Sequence, residues 1–197
     1  MLKRLFDIVF SLSGLILLSP TLLGVALLIK REDGGPLFYK GVRVGRSGKL
    51  FKMFKFRTMV VNADKIGGPS TADDDPRLMK VGKILRKYKL DEIPQLINVL
   101  IGNMSFVGPR PEVPFYVNMF TEEEKQILTV KPGITDWASL WDCDEGALLA
   151  GTPDPEKTYM EKIRPEKIRL QLKYVRERSF WVDMKILFMT MMKVVCR

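Results

Sequence analysis

Not one histidine occurs in the 197 residues. This excludes imidazole acid–base catalysis, Ser–His or Cys–His activation of a nucleophile, and any metal site that needs a histidine ligand. Cysteine is almost as scarce, with Cys143 and Cys196 the two present. Two cysteines make no disulfide framework; they fit a reducing compartment, each as a small apolar residue rather than a reactive thiol. Low-complexity tracts and internal repeats are missing as well. Acid is in deficit, 23 Asp and Glu against 32 Lys and Arg, and the resulting +9 points to an anionic partner: nucleic acid, acidic lipid or a phosphorylated substrate. The length is that of one domain and suffices to bury a core.

A long apolar run is present, Leu5–Ile29, with Lys3-Arg4 before it and Lys30-Arg31 after it. It is too long for a signal peptide and no small-residue cleavage site follows. As a straight helix it would measure about 38 Å, against a bilayer core of about 30 Å. Two features argue against a simple span. Positive charge at both ends favours keeping both on the cytoplasmic side. Ser19-Pro20 then interrupts the middle, leaving arms of about 21 and 15 Å, each too short to cross. The Ser19 hydroxyl can satisfy a carbonyl freed at the bend. The residues alone leave a spanning helix and a re-entrant one both open. Asp7, one turn past Lys3-Arg4, is expected at headgroup level and paired with one of them.

After a polar exit at Glu32–Pro36, Leu37–Gly41 and Leu50–Met59 read as two strands around Gly45-Arg46-Ser47-Gly48, a β-hairpin. Period-two alternation puts Lys55 and Arg57 on one face of the second strand. A solvated basic edge explains them equally well. Asp73-Asp74-Asp75-Pro76 is read as a turn and helix cap in preference to a cation site. Arg77–Leu90 is an amphipathic helix, Val81, Ile84, Leu85 and Tyr88 on one face and lysines around the rest, suited to an anionic membrane surface. Val113–Thr129 gives short helices, the second with a capping box from Thr121 to Glu124. Lys131–Thr135 turns into a strand-like Trp137–Trp141. Gly151–Glu156 is a proline-rich loop, Lys157–Arg178 a charged helical stretch broken at Pro165. Phe180–Val195 carries an apolar stripe of Trp181, Met184, Leu187, Phe188, Met191, Met192 and Val195, which suits either a core or an interfacial helix.

The stretch Lys89–Glu112 organises the rest. Adjacent carboxylates, Asp91 and Glu92, open a helix whose apolar residues Ile93, Leu96, Ile97, Leu100 and Ile101 recur at helical spacing. Asp91 is expected as its N-cap, Pro94 in its first turn, and Gly102-Asn103 at its end. Gly108-Pro109-Arg110-Pro111 is a stiff turn that fixes where one arginine points. A capping pair would explain Asp91 and Glu92 by themselves. The whole string DEIPQLINVLIGNMSFVGPRP, however, resembles the bacterial sugar transferase family, the monotopic phosphoglycosyl transferases. KFRTM at 55–59 and KPGIT at 131–135 followed by Trp137-Ala138 resemble it too. The likeness runs from Lys3 to Val195, weakest between Asp136 and Lys173.

The resemblance implies a fold and a chemistry. The fold is mixed α/β and helix-rich: residues 1–31 a re-entrant membrane helix broken at Ser19-Pro20, residues 32–197 a catalytic domain on the cytoplasmic face of the membrane, with the hairpin and interfacial helices. No multispan extension precedes it, so the chain is expected to be a minimal version of the family. Asp91 is the implied nucleophile. It attacks a nucleoside-diphosphate sugar, expected to be a UDP-sugar, and passes the phosphosugar to polyprenyl (undecaprenyl) phosphate. Mg²⁺ held by Asp91 is the implied cofactor, with Glu92 binding metal or orienting the site, and Lys55, Arg57 and Arg110 contacting phosphate. Both nucleophile and acceptor are already ionised at neutral pH, so the missing histidine costs this chemistry nothing. One departure stands out. Family members carry a glycine where Asp136 stands and an arginine in the following segment, whereas Ser139–Gly146 contains none. Nucleotide contacts and sugar choice therefore do not carry over there. A non-catalytic scaffold on anionic lipid is the alternative; a nucleic-acid binder rests on charge alone and lacks a motif. Oligomeric state, a homodimer included, stays open.

Overall fold

The computed structural model describes residues 2–66, 71–72, 74–141 and 148–195. Asp73, both cysteines and the 142–147 segment, where the family's arginine would fall, lie outside these. The architecture is helix-rich mixed α/β with a small antiparallel sheet.

Helix α1 (Leu2–Leu17) and helix α2 (Ser19–Asp33) meet at an angle of 59°. Proline is tolerated in the first turn of α2, where its missing N–H has no partner to lose, so the chain restarts as a new helix. Ser19 Oγ donates to the carbonyl of Ile16 at 2.7 Å, as expected of a hydroxyl at such a break. Among the described residues no single helix is long and apolar enough to cross a membrane, but this bent pair together is. Its apolar side chains mostly face outward: Leu5, Phe10, Ile16, Leu17, Leu23 and Leu27 are all exposed. The inward face is polar where it matters. Asp7 and Ser11 are buried, and Asp7 accepts from Ser105 Oγ at 3.0 Å and the Phe106 amide at 3.1 Å. The expected pairing of Asp7 with Lys3 or Arg4 is not formed, because both cations reach past it. Lys3 binds Asp183 and the carbonyl of Val107, and Arg4 binds the carbonyls of Val99 and Leu100.

The hairpin is present. Strand β1 (Phe38–Val44) and strand β2 (Leu50–Phe56) run antiparallel with Phe38 opposite Phe56 and Val44 opposite Leu50. Helix α3 (Lys80–Lys87) buries Gly82 and Leu85 against α2 and β2, while Ile84 and Tyr88 of its apolar face stay exposed. Helix α4 (Gln95–Ile101) buries Leu96 and Val99. Strand β3 (Ser105–Val107) pairs in parallel with strand β4 (Gly133–Thr135), a ladder that neither three-residue segment announces.

The Thr121 capping box forms as expected, with Thr121 N to Glu124 Oε2 at 2.9 Å and Glu124 N to Thr121 Oγ1 at 3.3 Å. Trp137–Trp141 is helical, not a strand; the buried Asp136 carboxylate caps it by accepting from the Ser139 amide at 2.7 Å and the Ser139 hydroxyl at 2.8 Å. At Pro165 the helical stretch adjusts instead of breaking. Residues Tyr159–Ile163 widen into a π turn, which accommodates a ring that would clash with the preceding turn, and the helix Arg164–Glu177 follows. The C-terminal helix, Phe180–Val195, buries Asp183 and Ile186 and leaves Trp181, Phe188, Met191 and Met192 exposed. Its stripe is therefore not a core face.

Candidate active site

Asp91 does not cap α4. It lies in a 3₁₀ turn, Leu90–Glu92, entered through Lys89 in the left-handed region at φ 55°, with Pro94 between that turn and the helix. The consequence is that its carboxylate is aimed into the protein rather than at the helix amides. Asp91 is 6% exposed, and its Oδ1 is buried with no hydrogen-bond partner. Asp136 Oδ2 and Glu156 Oε2 are buried and unbonded as well; what distinguishes Asp91 is the field of Lys55, Arg86 and Arg110 around it, a setting suited to an anionic ligand. Burial raises its pKa above the usual aspartate value, opposed by the charge of Lys55 and reinforced by that of Glu92; Arg86 and Arg110 also favour ionisation.

Glu92 beside it is fully engaged. Lys55 Nζ donates to Oε1 at 2.7 Å, and Arg110 binds both oxygens, Nη1 to Oε2 at 3.2 Å and Nη2 to Oε1. Burial works against this charge, but Arg110 and Lys55 outweigh it and hold the carboxyl well below the ordinary glutamate range. Burial in turn lowers the pKa of Lys55. With its oxygens filled by two cations, Glu92 fits the orienting role better than the metal-binding one.

Three local devices set this geometry. Asn98 on α4 mimics a strand neighbour for β2: its Oδ1 accepts from the Phe54 amide and its Nδ2 donates to the Lys52 carbonyl, each at 2.8 Å. That stitch fixes Lys55 relative to the turn bearing Asp91. Arg110 is fixed by backbone crowding. A Cβ on Gly108 would stand 2.4 Å from the Lys131 carbonyl oxygen and one on Gly133 2.1 Å from the Gly108 nitrogen, so only glycines let the two segments touch. Arg4 secures the far end of α4 by donating to Val99 O at 2.6 Å, which also accepts from the Gly102 amide at 3.1 Å, and to Leu100 O at 2.7 Å.

Of the residues expected to contact phosphate, Lys55 and Arg110 are brought to the carboxylate pair and Arg57 is not. Arg57 lies just past the end of β2, where its guanidinium donates to both oxygens of Asp33 at 2.5 and 2.7 Å, to Pro36 O at 2.6 Å and to Met59 O at 3.0 Å. Period two put it on the face of Lys55, but the strand ends at Phe56 and the alternation with it. Reading by motif missed Asn98, hidden in an apolar run, and Arg86, which donates to Thr58 at 3.1 Å and lends its field to Asp91. It also missed the half-buried Glu112, bound by Lys167 at 2.8 Å and within the field of Arg110.

For a metal, no group of three or more Asp, Glu or Cys suited to an ion exists among the described residues. Mg²⁺ does not require one, since it keeps several waters and commonly shares one or two carboxylates with substrate phosphates. The unbonded Asp91 oxygen is a hard donor of that kind, so the site fits such an ion. The cations and carboxylates together can bind a diphosphate and present an oxygen nucleophile to it.

The whole chain, residues 1–197, matches the bacterial sugar transferase family. Among its relatives, the UDP-glucose:undecaprenyl-phosphate glucose-1-phosphate transferase of Escherichia coli (strain K12) is 41% identical across 98% of this chain and 40% of its own length. The undecaprenyl-phosphate galactose phosphotransferase of Salmonella typhimurium is 38% identical across 100% and 40%. The uncharacterized sugar transferase EpsL of Bacillus subtilis (strain 168) is 38% identical across 98% and 87%. The chain thus spans about two fifths of the enteric relatives and most of the Bacillus one. It belongs to the bacterial sugar transferase family.

Proposed function

From that membership, we propose that the chain transfers a sugar-1-phosphate from a nucleoside-diphosphate sugar, a UDP-sugar by likeness to its relatives, to polyprenyl (undecaprenyl) phosphate, the first step in assembling a glycan. The observation that carries the reading is the enclosed, unbonded oxygen of Asp91 next to the Lys55–Glu92–Arg110 cluster. A carboxylate oxygen of Asp91 attacks the phosphorus attached to the sugar. The new O–P bond forms as the bond to the nucleoside monophosphate breaks, and UMP leaves with the electron pair. The phosphosugar is then an acyl phosphate on Asp91. A phosphate oxygen of the polyprenyl carrier attacks the same phosphorus and restores the free carboxylate. Neither step needs a proton moved at the nucleophile, which agrees with a chain that has no histidine.

Lys55 and Arg110 bind the donor's phosphates as a point charge and a planar fork, and Glu92 holds both at the right spacing until the donor arrives. Mg²⁺ held by Asp91 and the diphosphate would supply the neutralisation of negative charge that an anionic nucleophile requires. The bent α1–α2 pair lies in one leaflet as a re-entrant anchor, keeping residues 32–197 on the cytoplasmic face where a lipid-borne acceptor reaches Asp91. The exposed apolar residues of α1, α2 and the C-terminal helix support this placement. The test is UMP release from UDP-sugars by isolated membranes with Mg²⁺. Asp91→Asn should lower it at least about a thousandfold while melting stays within a few degrees of the parent. Release at the parent rate would remove Asp91 as nucleophile.

A further inference from the structure

Cations in the interior of this protein are answered. Arg57 has Asp33, Arg77 has Asp75, Arg164 has Glu124 and Lys167 has Glu112. Lys131 is the exception that draws notice. It is half-buried, yet its ammonium has no hydrogen bond or ion pair among the described residues. Its neighbour makes this stranger. The point where a Cβ on Gly102 would stand is 3.1 Å from Arg4 Nη2 and 3.4 Å from Lys131 Nζ, so two cations flank one small space. Gly102 sits at φ +93°, a conformation that keeps the space free of a side chain. Arg4 donates to two carbonyls, which satisfies its hydrogens without cancelling its charge. Arg46, exposed at the hairpin turn with its side chain also without a partner among the described residues, follows Gly45, which borders one cavity with Val130 and Pro132 on either side of Lys131. Burial, then Arg4, lowers the pKa of Lys131, and the opposing charge of Asp7 does not make up for them.

Like charges gathered this closely, with no acid bonded to either Lys131 or Arg4 among the described residues, are stable when an outside anion joins them. The setting says which anion. Arg4 lies between Leu2 and Leu5, both exposed on the end of α1, and Ile101 beside Gly102 is 58% exposed. The cations therefore ring the level at which apolar surface gives way to polar, the depth of headgroup phosphates. A length of α4 separates them from Asp91, whose strongest charged neighbours are Lys55, Glu92, Arg86 and Arg110.

We propose that Lys131, Arg46 and Arg4 form a binding site for the phosphate of an anionic phospholipid headgroup, apart from the site at Asp91. The proposal rests on the reading that α1 and α2 lie in a bilayer. The purified chain, held in neutral detergent with equimolar phosphatidylglycerol and phosphatidylcholine, is examined by native mass spectrometry. The parent should retain phosphatidylglycerol about tenfold over phosphatidylcholine, from two or so basic contacts, and Lys131→Gln with Arg46→Gln should bring the ratio near one. Asp91→Asn should keep the parent's preference. Equal retention of both lipids by the parent, or an unchanged preference in the double variant, overturns the site. Displacement of the lipid by inorganic phosphate as effectively as by dihexanoyl phosphatidylglycerol overturns the lipid assignment. Flotation with pure phosphatidylcholine vesicles separates the two readings: failure to float sinks the membrane placement, whereas flotation without headgroup preference sinks this site alone.

Discussion

Lys55 and Arg57 stand two residues apart and end in opposite situations. Arg57 spends its donors on Asp33, Pro36 and Met59, and Asp33 in turn accepts from the Gly35 amide. That region is closed: every charge in it has an answer, and the result ties α2 to the end of β2. Lys55 instead shares Glu92 with Arg110, while Asp91 next door has an oxygen that nothing in the described protein satisfies. Saturated pairs brace a fold, and an unfilled acceptor among cations marks where a substrate completes the arrangement.

Substitutions should split the two regions cleanly. After Asp91→Asn, the largest effect is expected from Lys55→Met, which should lower UMP release about a hundredfold, the scale for losing one charged contact to a reacting group. It should also move the acid limb of the pH–rate profile upward. As the proposed nucleophile Asp91 has to be ionised, its pKa is raised by burial, and Lys55 is the chief charge opposing that rise. Activity is lost as pH falls through the Asp91 value, so removing Lys55 brings the loss on at higher pH.

Arg57→Met should do the reverse, costing about 2 kcal/mol of stability through the lost ion pair of a buried guanidinium and its bonds to two carbonyls, seen as a melting point lower by roughly 4–8 °C. Rate per folded molecule should stay within about twofold of the parent, inside the spread for a site not in contact with substrate. A hundredfold rate loss with normal melting would put Arg57 back among the phosphate contacts. The smallest effect sharpens the contrast within the site. Glu92→Gln removes a charge that raises the Asp91 pKa and frees two cations that lower it, so the acid limb should move downward, opposite to Lys55→Met. A shift in the same direction for both would mean that the limb does not report Asp91.

Much of this was legible in the residues, for identifiable reasons. The hairpin, the Thr121 capping box and the extent of the C-terminal helix depend on local signals, a turn, a hydroxyl three residues before a glutamate, a periodic stripe. The cluster of Asp91, Glu92, Lys55 and Arg110 came through resemblance, and the structure assembles it. What failed was whatever distant partners decide. Asp91 misses the N-cap role because Pro94 restarts the helix after it. Trp137–Trp141 is a helix because Asp136, fully buried, spends one oxygen as its cap. The β3–β4 ladder exists because Gly108 and Gly133 let two backbones touch, a fact no single segment carries. Arg57 left its expected face because a strand end cannot be located to one residue by alternation alone.

Arg4 has one more implication. Its two bonds to the end of α4, with those of Asp7 to Ser105 and Phe106, make the apolar leader a working part of the reacting half of the molecule. Removing residues 1–33 to obtain a water-soluble enzyme would strip the Leu100 carbonyl of its Arg4 donor, leave Val99 O with the Gly102 amide alone, and empty the slot that Asp7 fills. Such a fragment would lose its catalytic alignment along with its greasy tail, and solubility would have to be sought by supplying lipid or detergent to the intact chain.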